Sequence, residues 1–219
     1  MSIKIEDAQK ILEFTHTLSG VKKLLRFKGM PYWEDADWER WDSVAEHSYR
    51  MAMLAILISP YLETPVNLER VLKMTLIHDI VELITNDHSP MAKHLDGGGH
   101  AFDPKAFADK YERETKAAEF IFKDLPGETR GEFVDLFREY IDTKAFPKTA
   151  TPEGKFAYAL DKIEAVIQII DWRTPKSNWP QEHYEKSITY MNEWGSYDPF
   201  LAKICGLIQQ EGIKIVSTT

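Results

Sequence analysis

The sequence predicts an all-α fold, and three observations carry that expectation. No segment sustains the period-two alternation of a half-buried strand, several segments repeat apolar residues at helical spacing, and proline or glycine marks the connections between them. Of the 219 residues, 43% are hydrophobic and 28% charged, a balance that supports a full core and argues against disorder. With no repeat, low-complexity tract or dividing linker, residues 1–219 read as a single domain.

Each element has its own local reason. Residues 6–19 set Ile11, Leu12, Phe14 and Leu18 along one side, and Gly20 follows as a stop. Ser43, with Glu46 three positions later, has the form of a capping box and starts a helix over 43–59 that Pro60 ends. Asn67 can cap a helix of roughly 67–84, with Val71, Leu72, Met74, Thr75 and Ile77 facing inward. Residues 103–124 and 128–143 are amphipathic and divided by Pro126-Gly127. Thr151-Pro152 opens a helix to about Trp172, since proline is favoured in the first turn, and helices of about 180–194 and 198–211 follow. Two loops stand out, 28–42 with Trp33, Trp38 and Trp41, and 86–102 with three histidines and Gly97-Gly98-Gly99.

Charge and cysteine content narrow the partners. A formal charge of -8 disfavours binding to a nucleic acid polymer, which needs a basic face to release counterions. The single cysteine, Cys205, excludes an intramolecular disulfide and reads as a buried thiol in a reducing compartment. Met1–Lys10 is charged and lacks the apolar stretch of a secretory signal, and the longest apolar run, Met51–Ile58, is too short to span a bilayer. A cytoplasmic protein without a membrane partner is expected.

Four residues point to a metal. A neutral imidazole nitrogen and a carboxylate oxygen are both good ligands for borderline divalent cations. Standing alone, His78-Asp79 would read as a core histidine bonded to its neighbours. It does not stand alone, because His47 and Asp161 are polar residues on otherwise apolar helices, and a buried carboxylate needs a charge or a metal beside it. One explanation serves all three helices: His47, His78, Asp79 and Asp161 meet around one divalent cation. Two imidazoles and two carboxylates leave no net charge around such an ion and leave coordination sites for water and substrate. Glu82, one turn beyond His78, suits a base or acid that positions water better than it suits a ligand.

The ordered set of a histidine, a His-Asp pair about thirty residues on, and a distant aspartate resembles the HD-domain phosphohydrolase superfamily. Ser43-Val44-Ala45-Glu46-His47-Ser48, Leu76-Ile77-His78-Asp79-Ile80-Val81-Glu82 and Ala159-Leu160-Asp161-Lys162 are similar to its branch of 5′-deoxynucleotidases and their eukaryotic HD-domain relatives. The resemblance covers about residues 10–172, the expected metal-binding core, with the helices of about 180–211 beyond it. It implies that His47, His78, Asp79 and Asp161 are the metal ligands and that Glu82 positions or activates the attacking water. It further implies that Arg26 binds the substrate phosphate and that Asp87 lies near the sugar. Phe27 stands where the deoxynucleotidases have tryptophan.

The expected activity is therefore metal-dependent hydrolysis of a small nucleotide, foremost a deoxynucleoside 5′-monophosphate. The alternatives are a triphosphate or cyclic nucleotide as substrate, or a sensor that binds metal and nucleotide without turnover. Ile80-Val81-Glu82 replaces the Gly-Lys form associated with cyclic-dinucleotide phosphodiesterases. The donor set accepts manganese, cobalt, nickel, iron, zinc or magnesium. A homodimer through the C-terminal helices follows from family analogy alone. Among the remaining residues, His88, His94 and His100 are spaced by six and match no ligand motif, and the glycine triplet lacks the lysine and hydroxyl of a P-loop. Glu112, Arg113, Glu114 and Lys116 read as a solvated helix face.

Overall fold

The computed structural model describes residues 4–27, 41–88, 99–172 and 181–217. Trp33, Trp38, His94, Gly97 and Gly98 lie outside them. The described residues contain no strand. They form α1 (Ile5–Thr17), α2 (Val44–Ile58), α3 (Leu68–Ile77), α4 (Glu82–Thr85), α5 (Pro104–Ile121), α6 (Gly127–Ala145), α7 (Pro152–Trp172), α8 (Gln181–Gly195) and α9 (Pro199–Ser217). No described helix is long and apolar enough to cross a membrane.

Helix α7 is the axis of the fold. It packs against α2, α3, α6, α8 and α9, and its buried residues, among them Phe156, Leu160, Ile163, Val166 and Ile170, cover most of its circumference. A helix that is apolar nearly all round is stable only inside a bundle. That makes polar residues set among its apolar ones, such as Asp161 and Glu164, informative about chemistry. Around it, the cores of α2 (Met51, Ala55, Ile58) and α3 (Val71, Met74, Ile77) close one side, and those of α5 and α6 (Ala118, Leu136, Phe137) close the other.

Local chemistry sets several starts. Ser43 and Glu46 form the reciprocal capping box, the Glu46 amide donating to Ser43 Oγ and the Ser43 amide donating to Glu46 Oε2 at 3.0 Å. Asn67 Oδ1 accepts from the Arg70 amide at 3.1 Å, and Asp103 caps α5 in the same way.

Two elements depart from the sequence reading. The helix expected over 67–84 breaks after Ile77: the amides of Ile80, Glu82, Leu83 and Ile84 reach back three residues rather than four, and α4 begins only at Glu82. The break falls on His78-Asp79. In α1, Ile11 and Leu12 are 50% and 58% exposed, and only Phe14 and Leu18 reach the core, Phe14 through ring contacts with Phe122 and Phe133. No described element covers the rest of that face.

Candidate metal centre

Four elements bring the site together. The α2 capping box starts the helix so that His47 falls on its fully buried side, 0% exposed. The break after α3 presents His78 and Asp79 side by side, and α7 carries Asp161 in from the centre of the bundle. A single antiparallel bridge, Leu25 with Ser43, ties the fourth segment to the start of α2 and sets Arg26 and Phe27 beside it.

The two histidines are oriented from behind. His47 Nδ1 bonds to Glu164 Oε2, and His78 Nδ1 donates to the Thr75 carbonyl at 3.0 Å. A carboxylate and a carbonyl only accept, so each Nδ1 carries the proton and each Nε2 keeps its lone pair. Both Nε2 atoms are buried and have no hydrogen-bond partner among the described residues. They converge with carboxylates: ligand atoms of His47, His78 and Asp161 all lie within 4.8 Å of one another. Asp79 Oδ2 is 3.1 Å from His78 Nε2 and 3.6 Å from His47 Nε2, while Asp161 Oδ1 is 3.4 Å from His47 Nε2. The other oxygen of Asp161 is occupied, accepting from Tyr140 Oη at 2.6 Å and from Lys162. Partnerless imidazole nitrogens facing carboxylate oxygens are the donor set of a divalent cation, and their rear partners are those that fix metal-binding histidines.

The same groups interact strongly with one another. Burial and the Arg26 charge work against a charge on His47, yet the charge of Glu164, the bond to it and the nearby Asp161 carboxylate push its pKa up to about 9. Against the upward pull of burial, His78 and His47 hold Asp79 below the usual carboxylate range, and Lys162 and His47 do so for Asp161. Holding a divalent cation would require both imidazoles neutral, so His47 would give up its second ring proton while both carboxylates stay ionised.

Glu164 is the residue sequence reasoning missed. It is 0% exposed and joins His47, Arg26 (3.0 Å) and Arg50 (2.8 Å). Despite burial, His47 and Arg26 hold its carboxyl down at about 2. The signal was present: an acidic residue three positions after Asp161 on an apolar helix poses the same burial problem as Asp161 itself. Glu164→Ala leaves His47 and two arginines without their shared counter-charge. It is expected to lower unfolding free energy by about 3–5 kcal/mol in urea titrations and to weaken metal binding roughly 10–100-fold. Unchanged values for both would remove Glu164 from the site.

The cluster opens on a cavity lined by Arg26, Phe27, Asp79, Glu82, Asp87 and Asp161, with His100, Lys110, Glu114, Lys162 and Tyr190 across it. Glu82 is 4% exposed, and its Oε2 has no hydrogen-bond partner. Burial, then the charges of Asp79 and Asp87, raise its pKa well above the usual range. Arg26 is 7% exposed, with one amino group between Asp42 Oδ2 (3.1 Å) and Glu164 Oε2 (3.0 Å). Asp87 Oδ2 accepts from the Phe27 amide at 3.2 Å. Phe27 and Asn86, which bracket that bond, have φ of 60° and 62°. Such conformations are unfavourable for L residues and gather at functional sites. Glu114 corrects the sequence reading. It is 6% exposed and bonds to Lys110 in the cavity wall, whereas Glu112, Arg113 and Lys116 are exposed as expected. Of the described loop histidines, His88 and His100 both line the cavity, and His100 is buried.

The family model described as HD domain matches residues 25–195, a span that holds every one of these residues. The chain belongs to the HD domain family. Among curated HD-domain relatives, 5′-deoxynucleotidase HDDC2 of Homo sapiens is 29% identical over 75% of this chain and 69% of its own length. The protein of the same name from Danio rerio is 34% identical over 58% of this chain and 54% of its own. 5′-Deoxynucleotidase hdd1 of Schizosaccharomyces pombe is 28% identical, covering 61% and 60%. A solved structure from Magnetospirillum magnetotacticum MS-1, described as a predicted metal-dependent phosphohydrolase, superposes with a TM-score of 0.69 at 24% identity, covering 96% of this chain and 94% of that one. An HD-domain phosphohydrolase from Listeria innocua superposes with a TM-score of 0.64 at 20% identity, covering 95% and 99%. At these identities the structures establish the fold.

Proposed function

We propose that this HD-domain chain is a divalent-metal-dependent 5′-nucleotidase that hydrolyses deoxynucleoside 5′-monophosphates to deoxynucleoside and phosphate in the cytoplasm. The observation that carries it is the pair of buried, partnerless Nε2 atoms on His47 and His78, set beside Asp79 and Asp161 at a cavity that also holds Glu82. The relatives named 5′-deoxynucleotidase supply the substrate class.

In this reading His47, His78, Asp79 and Asp161 hold one divalent cation. When bound, such a cation polarises a phosphoryl oxygen and lowers the pKa of a coordinated water. The chain's own residues do the rest. Glu82 holds the attacking water by a hydrogen bond and accepts its proton, a task for which a carboxyl shifted toward neutrality is suited. Arg26 turns the remaining donors of its guanidinium to the phosphate while Asp42 and Glu164 fix its orientation. Asp87, held by the Phe27 amide, faces the sugar, and the Phe27 ring closes the wall beside it. Tyr140 and Lys162 keep Asp161 turned toward His47 and His78.

The test is phosphate release from ribo- and deoxynucleoside mono- and triphosphates, after stripping metal and adding back single cations. Release from deoxy monophosphates that a chelator abolishes and one cation restores is the expected result. Release from triphosphates alone, or turnover only of added cyclic nucleotides read as nucleoside monophosphate by chromatography, would reassign the substrate. Metal binding with no turnover on any phosphoester would replace the hydrolase by a sensor.

A further inference from the structure

An ammonium group has three N–H donors and no acceptor, so its partners show which lysines are structural. Lys144, near the end of α6, donates to the carbonyls of His100 (2.7 Å) and Ala101 (3.0 Å) and to the Tyr190 hydroxyl (3.0 Å). All three donors are engaged in tying the segment after Gly99 to α8. Lys162 lies against Asp161 and over the Tyr158 ring at 4.4 Å. Arg26 faces two carboxylates.

Lys110 differs from these. It lines the cavity, its side chain is 19% exposed, and its only hydrogen bond to the described residues is to Glu114, one turn along α5. Two donors are therefore without a partner among the described residues. A surface pair at this spacing needs no burial, but here Glu114 is 6% exposed, and taking both charges out of water is a poor way to gain stability. What the pairing achieves is orientation: Glu114 anchors the ammonium at the cavity wall. The charges of Glu82 and Asp79 reach it there without forming ion pairs, and against the effect of burial these carboxylates keep its pKa above the ordinary lysine range.

We propose that Lys110 is a substrate-binding residue whose two remaining donors take oxygens of the substrate phosphate dianion. The proposal rests on the phosphomonoesterase reading and adds to it a cation that no sequence motif marks. Arg26 is fixed by ion pairs to two carboxylates, whereas Lys110 is ion-paired with Glu114 alone and keeps two donors for a phosphate.

The experiment measures binding of inorganic phosphate to the manganese-loaded protein by calorimetry, which needs no turnover. Lys110→Met is expected to weaken phosphate roughly 10–100-fold, the range for a charge-assisted hydrogen bond, and Lys110→Arg to retain most of the affinity. Lys116→Met removes the same charge from the exposed face of α5 and is expected to bind as wild type. Because Lys110→Met leaves Glu114 buried alone, the double variant Lys110→Met/Glu114→Gln is measured as well. If Lys110 only braces the helix, removing both charges restores phosphate binding; if it binds substrate, the double variant stays as weak as the single one. Restoration, or wild-type affinity in folded Lys110→Met, would overturn the proposal. A wild-type protein that binds phosphate through Lys110 yet cleaves no nucleotide would leave Lys110 in place and remove the nucleotidase reading instead.

Discussion

Asp79→Ala is expected to abolish stoichiometric binding of a divalent cation and to lower phosphate release from a deoxynucleoside monophosphate at least about a thousandfold, or roughly 4 kcal/mol of barrier. Asp79 Oδ2 lies within 3.1 Å and 3.6 Å of the two imidazole nitrogens, so it is the carboxylate that both histidines share. Without it, a dication at this position has one carboxylate rather than two, and His78 loses the anion nearest its Nε2. The loss is not expected to come from unfolding. Asp79 sits in the turn after α3 with its side chain 18% exposed, so truncation opens no core cavity, and the melting temperature should move by only a few degrees. Metal content after dialysis and the rate of phosphate release read the two effects separately. A variant that still holds one cation per chain and turns over within tenfold of wild type would show that Asp79 is not a ligand. Asp79→Asn keeps an oxygen donor without its charge and is expected to fall between.

What could be read from the sequence divides along the range of the interactions concerned. The capping box at Ser43 and Glu46, the Asn67 cap and the proline start of α7 are matters of three or four consecutive residues, and each appears in the structure as local chemistry dictates. The His47, His78 and Asp161 cluster was legible for another reason: a polar residue on an apolar helix needs a partner, and three such residues suggest a common one. The break after Ile77 was not legible, since nothing in Ile77-His78-Asp79-Ile80 departs from helical periodicity, and the bend sets two adjacent side chains beside His47. Ile11 and Leu12 show a related limit. Periodicity identifies an apolar face but does not say whether anything packs on it. Glu114 and Lys110 were hidden by their neighbours, because Glu112, Arg113 and Lys116 give the segment the composition of a solvated face. Only the packing of α5 against α4 and α6 turns one residue of that run inward.

Glu82→Gln is expected to separate activity from stability. The glutamine keeps the size and one oxygen acceptor of Glu82 but cannot take a proton, so kcat should fall by about 10²–10⁴ if Glu82 is the base. Metal binding should persist, because in the proposed reading Glu82 holds the attacking water and not the cation. Stability should move the other way. Burial disfavours the ionised carboxyl, the charges of Asp79 and Asp87 add to that, and Oε2 has no hydrogen-bond partner. A group whose folded pKa is raised destabilises the folded state at neutral pH, and the burden grows as pH rises above its unfolded value. Removing the charge is therefore expected to hold the unfolding free energy or raise it by about 0.5–2 kcal/mol, the pattern of a residue kept for chemistry. The pH profile supplies a third reading. An ionised Glu82 is required for proton acceptance, so wild-type activity should fall as pH drops through its raised pKa, and that acid limb should vanish in the glutamine variant. A structural role predicts the opposite combination, with lower stability, near-normal kcat and an unaltered limb.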